Sequence, residues 1–204
     1  AKSPLVAQNA HTIATELAAM AVAKKISPLI IVDNQKISSL YPDLTVKGFW
    51  PTINRTFSGL FDIFNKLSTL PSPYTAFDHA DYNSIITSGG CCIMGLTRLD
   101  ETYDKYNLSE AVRKNLHKTL LADGFDLAKS KMAGSVIVGG CSVMANKAGL
   151  KDNIDYAFDV LADIIGNATL HRGIYEDYKD SIRVYTIIGG LEPPLKRLEE
   201  LINS

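Results

Sequence analysis

"PTINRTFSGLFDIFNKL", Pro51 to Leu67, carries the strongest periodic signal in the chain. Ile53, Phe57, Leu60, Phe61, Phe64 and Leu67 recur at spacings of three and four, which draws an apolar stripe along one side of a helix. Pro51 suits a first helical turn, where its missing N–H costs little, and "PSP" at 71–73 stops the run. The pattern predicts one long, well-buried helix, and the sequence reads differently on its two sides.

Upstream, residues 4–24 are rich in alanine, with Ile13, Leu17 and Met20 on one face, and predict a first helix. "PLIIVDN" (28–34) is a continuous apolar run closed by turn residues, as a buried strand of a parallel sheet reads. A short helix follows over "QKISSLY" (35–41), and "DLTVKGFWP" (43–51) reads as a loop. Downstream, "YTAFDHADYNSII" (74–86) opens a helix that runs to about Thr87. "CCIMGLTRL" (91–99) predicts a strand, Ser109 to Leu121 a helix, and "GSVIVGGCSVM" (134–144) a buried strand interrupted by two glycines. Asn153 to Ile165 is an amphipathic helix; "ATLHRGIYED" (168–177) and "SIRVYTIIGG" (181–190) are two strands joined by a turn near "DYKD". "PPLKRLEELINS" (193–204) is a terminal helix. A helix–strand–helix piece, one long helix and a β-α-β-α-β-β unit make an α/β protein.

The 204 residues suffice for one large domain or two small ones. Apolar residues at 46% and charged residues at 21% are ordinary for a globular chain. A net charge of -1 without a long run of one sign argues against a nucleic-acid or membrane surface. No apolar stretch approaches a membrane span, and the first residues carry no signal-peptide pattern. The cysteines, Cys91, Cys92 and Cys141, are odd in number, which argues for a reducing, cytoplasmic setting rather than a disulfide scaffold.

Asp78 and Asp81 stand three apart at a helix start. Such a pair caps first-turn amides and complements the positive helix end. Two carboxylates on an exposed tip can also orient a water or bind a cation, and a cap uses only part of a carboxylate's acceptor capacity. Trp50, with Asn54 one turn on, offers a ring face and a side-chain amide to a flat heterocycle; a core Trp beside a surface Asn is the alternative. His11, His79, His117 and His171 lie apart, with no zinc spacing. The glycine pairs at 89–90, 139–140 and 189–190 read as turns or bulges, and no Gly-x-Ser-x-Gly elbow occurs.

Taken in order, five segments resemble the tubulin/FtsZ superfamily of polymerising GTPases. "LIIVDNQKI" is similar to the strand and "DNE"-type turn before that family's central region, and "FWPTINRTFSGLF" to the start of its central helix. "YTAFDHADYNSII" matches the following loop, whose FtsZ form is N-x-D-x-x-D. "SGGCCIMGL" and "GIYEDYKDSIRVYTIIGGL" resemble later strands, and together the five cover about residues 4–191. The family's GGGTGTG-type phosphate loop is not in this sequence, so the chain looks like the later portion of such a protein, lacking the N-terminal nucleotide-binding part and binding GTP weakly alone.

The resemblance implies the end of a Rossmann-like nucleotide-binding domain over 1–50, a central helix and loop over 51–77, and an α+β C-terminal domain with a four-stranded mixed sheet over 78–191. Residues 192–204 form a terminal helix. It implies that Asn34, Trp50 and Asn54 contact the guanine nucleotide, and that Asp78 and Asp81 complete the GTP hydrolysis site of the next subunit in a head-to-tail filament. GTP or GDP with Mg²⁺ is the implied cofactor, and another copy of the chain the implied partner. No resident metal site is implied, and Ala76 stands where FtsZ proteins carry Asn. Relatives of this kind divide cells, segregate DNA or shape the cell. The alternative is a non-hydrolysing interaction module that caps or joins such a filament.

Overall fold

The sheet is built around a strand that is buried along its whole length. The computed structural model describes residues 3–100, 103–117 and 124–203. Four strands, β1 (Cys91–Leu99), β2 (Met132–Gly140), β3 (Thr169–Asp177) and β4 (Ile182–Leu191), form one mixed sheet in the order β1-β4-β2-β3. β4 runs antiparallel to both neighbours, and β2 and β3 are parallel. All ten residues of β4 are buried, as a central strand covered on both faces must be. The α/β class and the mixed four-stranded sheet are those read from the sequence.

Helices cover both faces. α5 (Lys105–His117) and α7 (Leu150–Ile165) pack together on one; α4 (His79–Ile86) and the C-terminal half of α3 (Val46–Leu67) lie on the other. α1 (Pro4–Val22), α2 (Asn34–Leu40), the short α6 (Cys141–Asn146) and α8 (Leu195–Asn203) complete the described α-helices, with α1 against α8. Phe64, Phe77, Tyr82 and Tyr185 form an aromatic knot, with ring centroids 6.1 to 6.4 Å apart, that locks α3, the loop after it and α4 onto β4.

Several boundaries differ from expectation. The long helix begins five residues early, because Thr45 Oγ1 accepts the Gly48 N–H at 3.1 Å and caps it. Pro51 therefore lies inside the helix, and residues 46–50 are helical rather than loop. It is also less buried than expected: Ile53, Phe64 and Leu67 are buried, whereas Phe57, Leu60 and Phe61 are half-buried. Residues 28–34 are extended but form no full strand. Leu29 makes a parallel bridge to Cys91, and its carbonyl accepts Cys92 N–H at 2.8 Å. Val32 makes a second isolated bridge, so the segment carries single pairings rather than a continuous ladder.

α1 turns its small side to the protein. Ala7, Ala18 and Ala21 are buried while Ile13 is 57% exposed, because Gly90 N–H reaches the Ala21 carbonyl at 2.8 Å and larger side chains would hold the backbones apart. The second glycine-containing strand stops at its glycine pair, and Cys141 starts a helix instead. α5 starts four residues before Ser109, and its expected end at Leu121 lies outside the described residues. α7 starts three residues before Asn153. The strands flanking "DYKD" do not pair with each other; β2 lies between them. Their connection steps across the end of β2, where a Cβ on Gly140 would sit 2.1 Å from the Lys179 carbonyl oxygen. Only glycine permits that crossing.

Candidate functional site

The first turn of α4 is pinned from two sides. Phe77 and Tyr82, buried just before and just after the turn, pack ring to ring at 6.4 Å and act as a hydrophobic staple. Between them Asp78, His79 and Ala80 are exposed. Asp78 Oδ1 accepts Asp81 N–H at 2.9 Å and Asp81 Oδ2 accepts Asp78 N–H at 3.0 Å, a reciprocal capping box. The capping role expected for the pair is therefore present, and it engages one oxygen of each carboxylate. The staple was legible as aromatics on either side of the box.

His171 of β3 joins the pair, and no local spacing announces it. Its Nδ1 lies 2.6 Å from Asp81 Oδ1, and its Nε2 lies 3.0 Å from Ser84 Oγ, 87 positions away in the chain. The order Asp–His–Ser is that of a hydrolase relay, but Ser84 sits mid-helix with its hydroxyl bonded back to the Asp81 carbonyl at 2.7 Å. It is an orienting partner, not a nucleophile on an elbow. Behind the tip, Tyr175 Oη accepts Phe77 N–H at 2.9 Å and contacts the carbonyls of Leu67 and Phe77 at 3.0 and 3.1 Å. Burial pushes this phenol up, a hydrogen bond to Phe77 opposes the shift, and the nearby charges of Asp81 and Asp78 add to it.

Trp50 and Asn54 lie in the first turns of α3, at its other end, and Asn34 starts α2. Ile37 and Ile53 share a small buried cluster with Leu40 and Phe49, which draws α2 against the first turns of α3. Asn34 starts α2 and is exposed, as is Asn54. Trp50 is 56% exposed and lies edge-on to Phe49, with centroids 5.3 Å apart, so it is not a core Trp. From Trp50 to Phe64, which anchors the acidic tip, the helix axis runs on the order of 20 Å. The two groups of residues therefore occupy opposite ends of one rod.

Asp33, next to Asn34, caps α2 through Gln35 and Lys36 N–H groups and holds Arg197 of α8 with both oxygens, at 2.5 and 3.1 Å. Burial raises this carboxyl, but Arg197 and the two amides outweigh it and hold it below the usual range. A cleft of about 450 Å³ opens beside the pair, also lined by Lys36 and Glu200. Among the described residues no group of three or more acidic, His or Cys side chains gathers to hold a metal, so these residues alone do not fit Mg²⁺. Nor is any described helix long and apolar enough to cross a membrane.

No family model matches the sequence. The chain is 24% identical over 167 residues to the cell division protein FtsZ 2 of Methanocaldococcus jannaschii, covering 81% of this chain and 42% of that one. Its fold is similar to that of TubZ from Bacillus thuringiensis serovar israelensis in GDP-form protofilaments, with a TM-score of 0.84 at 16% identity, over 100% of this chain and 52% of TubZ. It is also similar to CetZ2 of Haloferax volcanii in a GTPγS-bound protofilament, with a TM-score of 0.72 at 17% identity, over 99% of this chain and 56% of CetZ2. The chain thus spans about half the length of the relatives it matches. These likenesses bear out the resemblance to the tubulin/FtsZ superfamily, and the fold is one that TubZ and CetZ2 share.

Proposed function

We propose that this chain is part of a cytoplasmic, GTP-hydrolysing filament subunit whose acidic tip completes the hydrolysis site of the next subunit. The observation that carries the reading is the Asp78–Asp81 tip, with Asp78 exposed, at the opposite end of α3 from exposed Trp50 and Asn54. In a head-to-tail contact the tip of one subunit meets the nucleotide end of its neighbour. Trp50 stacks on the guanine, while Asn34 and Asn54 bond its edge or the ribose. Phosphoryl transfer to water depends chiefly on positioning and electrostatics, which a carboxylate pair on a pinned helix start supplies. Mg²⁺ arrives with the nucleotide phosphates, which it neutralises.

Phosphate binding falls to a nucleotide-binding portion outside these 204 residues, as the longer relatives suggest. The groove of about 250 Å³ that Leu29 to Ile31 line with Ile13 and Leu17 of α1 supports a seat for it. In the polymerising protein, Asp81→Ala is expected to leave GTP affinity within about twofold and to cut turnover per polymerised subunit about 100-fold. Unchanged turnover in that assay rejects the shared site. Assembly without turnover in the parent itself favours a non-hydrolysing module instead.

A further inference from the structure

α2 is fixed by different means at its two ends. Ile37 and Leu40 seat its later residues in the small apolar cluster with Phe49 and Ile53. Its start is gripped by Arg197 of α8, 162 to 164 positions away in the chain. Arg197 Nε and Nη2 donate to the two Asp33 oxygens at 2.5 and 3.1 Å, and Nη2 also reaches Gln35 Oε1 at 3.0 Å. Glu200 Oε2 takes Nη1 at 2.8 Å and sets the guanidinium from behind. Asn34 stands between the two residues that Arg197 holds. We propose that Arg197 is a positioning residue for guanine-nucleotide binding. It acts through Asp33 and Gln35 to fix the place from which Asn34 reaches the nucleotide, an assignment that rests on the reading of Asn34 given above.

A helix of seven residues is too short to persist by itself in water, and its first amides have no partner within the helix. Asp33 Oδ1 supplies one to the N–H groups of Gln35 and Lys36, at 2.9 and 3.3 Å, but only while the carboxylate keeps one rotamer. A forked guanidinium that holds both oxygens selects that rotamer, where a lysine would offer a single point charge. The pair is sheltered, with side chains 15% and 11% exposed, so water competes weakly for either partner. Arg197 is itself firmly mounted, because Leu198 beside it is buried and α8 packs on α1. Only Glu192, Pro193 and Pro194 separate α8 from β4. The grip therefore ties the turn that carries Asn34 to the sheet on which α4 packs.

A double-mutant cycle on GTP affinity tests this, titrated in the polymerising protein below its assembly threshold. Asn34→Ala removes one hydrogen bond to the nucleotide and is expected to weaken GTP binding about 5- to 10-fold. Arg197→Ala should weaken it about 3- to 10-fold in the parent and less than about 1.5-fold in the Asn34→Ala background. Arg197→Lys keeps the charge without the fork and should fall between Arg197→Ala and the parent. Turnover per polymerised subunit at saturating GTP should stay within about twofold in both Arg197 variants, the split expected of a group that acts on binding alone. Hydrogen exchange of residues 33–37 without nucleotide reads the same grip, and should quicken about 10-fold in Arg197→Lys while the sheet keeps the parent rate. Parent-like affinity in Arg197→Ala, or equal losses in both backgrounds, overturns the proposal. Should Arg197→Ala fail to fold, the same cycle with Arg197→Lys and its exchange rates decide by the same outcomes. If Asn34→Ala itself binds GTP like the parent, the nucleotide reading of Asn34 fails and the positioning role with it.

Discussion

Asp33 stabilises two elements at once, capping α2 and gripping Arg197 of α8. Its carboxyl is held below the ordinary value, so its contribution is present above the unfolded value near about pH 4 and is lost as pH falls through the lower folded value. Asp33→Asn keeps a capable cap and removes the charge. It should cost about 2 kcal/mol at neutral pH and much less at about pH 3, as urea unfolding at the two pH values will read. Trp50 stands at the other extreme. It is 56% exposed, so Trp50→Ala should change stability by less than about 0.5 kcal/mol. Stacking on a base is worth about 1–3 kcal/mol, so the same change should weaken GTP binding by roughly 5- to 150-fold in a titration of the polymerising protein. Loss of stability with unaltered affinity would make Trp50 a packing residue after all.

At the scale of elements, Tyr175 decides how firmly the acidic tip is mounted. Its hydroxyl joins the end of α3 to both backbone groups of Phe77, one residue before Asp78. Tyr175→Phe strands a buried N–H and should cost about 2–3 kcal/mol, with faster amide hydrogen exchange confined to residues around 71–78. The opposite face of the sheet has its own constraint. α5 lies so close to β1 that a Cβ on Gly95 would meet the Asn115 backbone oxygen at 2.4 Å. Asn115 in turn donates to the Val184 carbonyl at 2.7 Å, so the helix cannot back away without stranding that acceptor. Gly95→Ala should destabilise the protein by about 2–3 kcal/mol or more in denaturant unfolding.

For the whole molecule, separation of the acidic tip from Trp50 along α3 gives a test that no single variant supplies. Asp78→Ala subunits retain the nucleotide end and lack the tip; Trp50→Ala subunits retain the tip and bind GTP poorly. Where a Trp50→Ala tip covers an Asp78→Ala nucleotide, the junction is complete. A random equal mixture should therefore turn over GTP at about a quarter of the parent rate, well above either variant alone. A mixture that shows only the mean of its components would place both sets of residues in one subunit's site.

The sequence by itself determined the kind and order of the main elements, because periodicity and caps arise between residues one to four positions apart. The stripe from Ile53 to Leu67, the Asp78–Asp81 box and the apolar run of β4 are signals of that sort. The Thr45 cap that starts α3 is equally local, although Pro51 offers a competing start five residues on. Tertiary packing alone decided that β2 lies between β3 and β4, and that alanines rather than Ile13 and Leu17 face the protein on α1. It also brought His171 onto Asp81. Each of these depends on which distant surfaces exclude water together, and a one-dimensional pattern gives every such pairing the same appearance until the layers close.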